Sequence, residues 1–117
     1  MIFVEGVSPK GHAKLTSFYC AHLVCEDDTF FVGTSQIERL KNLPSDVRTF
    51  DDGFLLKGRL SRMLGSVKLT YKVYSAAYSS KSNVCFFSYD FVGIILIYLT
   101  SRLLGKKTYL FEHNTVP

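Results

Sequence analysis

The residues best suited to chemistry fall in three short polar stretches, each directly after an apolar run. They are Glu112-His113-Asn114, Tyr89-Asp90, and the segment GVSPKGH at positions 6–12, which contains Gly6, Lys10 and Gly11. A histidine at a strand end titrates near neutrality, so His113 is placed to act as a base or to hold a ligand hydroxyl. A plain solvent-capped histidine is the other reading. Glycine lets a ligand approach the backbone closely, and free N–H groups at a helix start bind phosphate. The 6–12 segment is nevertheless neither a dinucleotide fingerprint nor a P-loop, because no Lys-Ser/Thr pair follows Gly11. A simple turn opening a helix stays as its alternative. Asp90 suits substrate contact or the N-cap of the apolar helix that follows. His22 lies at helical spacing near the expected core face, which favours a structural role. The sequence has no recognisable Ser-His-Asp arrangement, metal cluster or paired-carboxylate motif, and no cofactor is expected.

The elements that would position these stretches follow from hydrophobic period. Residues 1–5 (MIFVE) read as a buried strand, and from about His12 the period becomes helical, with Leu15, Phe18, Tyr19, His22 and Leu23 on one face. Residues 29–33 (TFFVG) form a second strand, 36–41 a short helix closed by Asn42 and Pro44, and 47–50 a weak third strand. The longest helix runs over 60–78, where Leu60, Met63, Leu64, Val67, Tyr71 and Tyr74 trace a stripe that reads as the buried face. Arg59, Arg62, Lys68 and Lys72 lie off it, towards solvent. Residues 83–88 (NVCFFS) are a strand, 91–104 a very apolar helix stopped by Gly105, and 107–112 (KTYLFE) the last strand. Strand and helix alternate throughout. That predicts one α/β domain over 1–117, a Rossmann-like three-layer sandwich around a parallel five-stranded sheet of order 3-2-1-4-5. In such a sheet ligands sit beyond the carboxyl ends of the strands where the order reverses. The three polar stretches then converge on one crevice.

Composition narrows the classes. The chain has 117 residues, 47% of them hydrophobic and 21% charged, an ordinary balance for one globular core. A net charge of +4, spread along the chain, does not make a nucleic-acid signature. It is compatible with an anionic membrane or a phosphorylated substrate. Cys20, Cys25 and Cys85 have no metal-type spacing and are expected to be reduced and mostly buried. Met1 leads straight into a strand, so a cytoplasmic location is expected, with the inner face of the cell membrane open to it. The run 91–99 (FVGIILIYL) is too short to span a bilayer, which needs about 20 apolar residues, and reads as a helix buried in a core.

The glycine-containing loop after the first strand, the NVCFFSYD strand and turn, the apolar helix and GKKTYLFEHNTVP resemble the N-terminal domain of GT-B glycosyltransferases. The likeness is nearest to the retaining, nucleotide-sugar-dependent group of bacterial surface-polysaccharide synthesis, and it covers essentially the whole chain. It implies an acceptor-side Rossmann-like domain, with the C-terminal donor domain absent from this chain. The full enzyme would transfer a sugar from a nucleotide-sugar to a saccharide or lipid-linked acceptor, and this half would be inactive alone. By the same resemblance Gly11, beside Lys10, occupies the place of the glycine-rich loop near the donor diphosphate, although Lys-Gly stands where Gly-Gly is common. His113 takes the place of the histidine that approaches the transferred sugar, with Gly6 keeping the loop open and Tyr89, Asp90, Glu112 and Asn114 lining the substrate side. A peripheral membrane contact, a homodimer and a C-terminal partner subunit remain open as partners. The competing reading is a non-catalytic, flavodoxin-like binding or interaction module. Its phospho-receiver version is disfavoured because Glu5 stands without an acidic neighbour.

Overall fold

The computed structural model describes residues 1–5, 17, 20–88 and 91–110. Five strands, β1 (Ile2–Glu5), β2 (Thr29–Gly33), β3 (Asp46–Phe50), β4 (Val84–Ser88) and β5 (Thr108–Leu110), form one sheet of order β3-β2-β1-β4-β5. Every pairing is parallel. The expected Rossmann-like α/β architecture and strand order are therefore present. A first helix, α1, has its described residues at 17 and 20–23, while α2 spans Arg59–Ser80 and α3 spans Phe91–Leu104. The segment expected as a short helix at 36–41 contracts to a 3-10 turn over Ile37–Arg39.

The central strands β1, β2 and β4 are apolar on both sides because both faces of the sheet are covered there. Their side chains alternate between two cores. Ile2, Val4, Phe31, Val84 and Phe86 pack beneath α2 and α3 with Val73, Ala77 and Ile97. Phe3, Phe30, Val32, Cys85 and Phe87 turn to the other face, where they meet Cys20 of α1 and Leu40 of the β2–β3 connection. The division follows from topology. The chain moves one way from β1 through β3, then returns across the sheet to β4, and crossovers of one hand put the returning helices on the opposite side. The ring of Phe87 stacks obliquely on Phe3 and Phe30, with centroids 5.2 and 5.8 Å apart. The edge strand β3 carries charge, with Arg48 Nε donating to Asp46 at 3.3 Å, which discourages pairing with another chain. Bonds from Thr29 and Arg48 hold the Asp46 carboxyl below its usual range.

The helix ends obey local chemistry. Gly105, at φ 65°, closes α3, and the Lys106 N–H reaches back to the Ser101 carbonyl at 3.0 Å. Lys81 adopts the left-handed conformation that ends α2.

Three sequence expectations about burial are overturned. In α2 the buried residues are Gly65, Ser66, Leu69, Thr70, Val73, Tyr74 and Ala77, of which Leu69, Val73, Tyr74 and Ala77 pack on the sheet. Leu60, Met63, Leu64, Val67 and Tyr71 of the expected core stripe are exposed, and Tyr74 is its one buried member. The reason is fit. The sheet below presents Phe31, Phe50 and Phe86, and Leu69, Val73, Tyr74 and Ala77 are the α2 residues that interdigitate with them. At Gly65 a Cβ would collide with the ring of Phe54. Second, among the described residues α3 is buried on one side, at Ile97, with Ile95, Tyr98, Leu99 and Leu103 exposed. Third, His22 and Leu23 of α1 are exposed, and Cys20 is the buried one among its described residues, Leu15, Phe18 and Tyr19 lying outside them.

Candidate functional site

The carboxyl ends of the strands form the edge on which a doubly wound sheet binds ligands, and here the order reverses between β1 and β4. These two strands run side by side, with Val4 opposite Phe86 and Glu5 opposite Ser88 across a register irregularity. β5 joins them with Leu110 opposite Phe86. The strands that lead into the three polar stretches thus end on one edge. The eight residues singled out in those stretches, Gly6, Lys10, Gly11, Tyr89, Asp90, Glu112, His113 and Asn114, themselves lie outside the described residues.

What the described residues contribute at this edge is chiefly carboxylate. Glu5 ends β1 and is 2% exposed, one of the largest fully buried side chains of the protein. It lies close enough to Cys20 that its charge adds to the dominant effect of burial, and the Cys20 thiol is pushed up to about 12. Burial alone pushes Cys85 up to about 11. Both thiols are therefore protonated at neutral pH and poor nucleophiles. This carboxyl group of Glu5 lies next to the strand-order reversal and is engaged within the fold.

A second carboxylate knits the neighbouring loops. Asp52 accepts hydrogen bonds from the Ser35 N–H and Thr34 Oγ1, both at 3.4 Å, and from Ser35 Oγ. It sits so close to the end of β2 that a Cβ on Gly33 would clash with it. Its oxygens are thus engaged within the chain, and its role is to join the end of β2 to the segment after β3. Beyond β3 a small cleft of about 260 Å³ is lined by Asp51, Lys57, Ser61 and Lys68. Lys57 and Lys68 give that cleft a cationic wall.

An apolar groove of about 610 Å³ lies elsewhere, between α2 and α3, lined by Val67, Tyr71, Tyr74, Tyr78, Leu96 and Leu104. At its floor the Tyr74 hydroxyl pairs with Thr108 Oγ1 at 2.7 Å, tying α2 to β5. Burial raises the Tyr74 phenol, partly offset by that bond.

Sequence reasoning did not single out Glu5 or Asp52 as site residues. An acid closing an apolar strand was a visible signal for Glu5. Nothing local marks Asp52, whose donors lie about half the length of a helix-strand unit away in sequence. Cys25, Asp27 and Asp28 also cluster. There Asp28 is occupied by the amino terminus and by the Cys25 N–H, at 3.0 and 2.8 Å. Comparison of the chain with protein-family models, curated proteins and solved structures finds no match.

Proposed function

We propose that this chain is the acceptor-side half of a nucleotide-sugar-dependent glycosyltransferase, with its ligand crevice at the carboxyl edge between β1 and β4. One observation carries the reading: the parallel order β3-β2-β1-β4-β5, with β1, β4 and β5 ending side by side. From those ends leave the segments holding Gly6 to Gly11, Tyr89-Asp90 and Glu112 to Asn114. The buried Glu5 carboxylate beside the reversal supports the same edge as the polar one. In this reading His113 approaches the transferred sugar, Lys10 and Gly11 meet the donor diphosphate, and Tyr89 and Asp90 face the acceptor. The donor is a nucleotide-sugar and the acceptor a saccharide or a lipid-linked saccharide.

Chemical-shift mapping of the 117-residue chain tests it, with uridine and guanosine diphosphate sugars and a polyprenyl-diphosphate-linked saccharide as probes. Saturable shifts should gather at Glu5 to Gly11, Ser88 to Asp90 and Glu112 to Asn114. His113→Ala should weaken the binding about tenfold, the value of one hydrogen bond of about 1.4 kcal/mol. Saturable shifts confined to other surfaces, or none with any probe, would end the proposal. The second reading, a non-catalytic α/β interaction module, draws on the exposed apolar side of α2 and α3. It predicts no response to nucleotide-sugars.

A further inference from the structure

The outward side of the α2–α3 layer combines two properties that rarely share one surface. It is apolar: Leu103 is 85% exposed, Tyr71 74%, Tyr78 70% and Leu60 68%, with Ile95 and Leu99 beside them. A helix as apolar all round as α3 is ordinarily covered all round, yet among the described residues only one side of it is buried, at Gly93 and Ile97. No helix among the described residues is long and apolar enough to cross a membrane. The layer is also basic. From residue 53 to residue 110 the sequence holds nine Lys and Arg residues and one acid, Asp90. Arg59 stands in the first turn of α2, Lys68 and Lys72 along its side, and Lys81 at its end, while Arg102 and Lys107 border the last turn of α3. All six are exposed.

We infer that this face docks on an anionic lipid bilayer, lying in the interface without spanning it. The apolar side chains enter the headgroup boundary, the tyrosines sit at the polar–apolar transition, and the cations around them meet lipid phosphates. Lys and Arg suit that position because their stems lie along apolar surface while their charges stay wet. Charge complementarity selects this occupant over a second copy of the chain, because two such basic faces brought together repel each other. The inference is independent of which ligand occupies the carboxyl edge.

The protein has no tryptophan, so a single one is a clean reporter. Leu103→Trp places it on the outer face of α3, and Leu23→Trp places the control on α1, across the sheet. With phosphatidylcholine vesicles containing phosphatidylglycerol, emission of Leu103→Trp should shift to the blue, and that of Leu23→Trp should not. Pure phosphatidylcholine should leave both unchanged. The unsubstituted protein should float with the anionic vesicles. Lys68→Glu, Lys72→Glu and Arg102→Glu together, at exposed positions and with an unchanged circular dichroism spectrum, should weaken flotation about a hundredfold. An unchanged Leu103→Trp spectrum on anionic vesicles, or the same shift at both reporters, overturns the inference. So does a shift that grows with protein concentration without lipid, which assigns the face to self-association. A shift produced by an acidic polypeptide but not by vesicles overturns it in favour of a protein partner.

Discussion

The inner and outer sides of helix α2 differ more in burial than in hydrophobicity. The inner side, Gly65, Ser66, Leu69, Thr70, Val73, Tyr74 and Ala77, mixes small and hydroxyl-bearing residues with Leu69 and Tyr74 and is buried. The outer side, Leu60, Leu64, Val67, Tyr71 and Tyr78, is built of large apolar ones and is exposed. Burial here follows shape. Leu69, Val73, Tyr74 and Ala77 fit a sheet face crowded with Phe31, Phe50 and Phe86, and Gly65 lets the helix meet the Phe54 ring closely. Thr70 meets the cost of burying a hydroxyl by donating to the Ser66 carbonyl at 2.7 Å. The large apolar residues are left for another surface.

The sharpest way to break this contrast is to truncate one residue on each side of the layer. Phe86→Ala, beneath the helices and 2% exposed, should cost about 3–5 kcal/mol in urea unfolding. Leu103→Ala, on the outside, should stay within about 0.5 kcal/mol of the parent. Equal losses would mean that α3 is covered on both sides in the free protein. A smaller effect sharpens the argument from shape. Gly65→Ala puts a methyl group into the Phe54 ring and should destabilise by about 1–3 kcal/mol, unlike Gly58→Ala, where the added atom meets nothing. If Gly65→Ala were neutral, close approach would not be what selects the inner side.

An effect absent at neutral pH concerns protons. Cys20 and Cys85 have thiols raised above the ordinary 9.0, to about 12 and about 11. The unfolded chain therefore loses these protons first as pH rises. Their contribution to stability is whole below pH 9 and is lost progressively between 9 and 12. In native protein at neutral pH, a thiol reagent should modify the exposed Cys25 alone among the three, and all three after unfolding. Rapid native modification of Cys20 would show that the core beside Glu5 opens.

The polar edge was legible in part. That β1, β4 and β5 end on one edge could be read directly, because strands stop where apolar runs stop, while the polar residues that follow them lie outside the described residues. The Asp52 contacts with Thr34 and Ser35 could not, since they join the ends of two strands that meet only once the sheet has formed. Exposure on α1 was misread for a related reason. Spacing alone put His22 and Leu23 with the core, whereas Cys20 is the residue that faces Phe30 and Phe87.

By itself, the sequence determined the order of elements and the parallel sheet. Apolar runs such as IFVE, TFFVG and VCFFS, separated by helical periods, leave a buried parallel sheet as the way to cover both of their faces. It also determined where α3 stops, because Gly105 takes a backbone conformation that other residues resist. Only the tertiary structure decided which side of α2 faces inward and that Glu5 is buried at the reversal of strand order. Those outcomes depend on the volumes and charges that distant segments bring to the same place, and no local pattern encodes them.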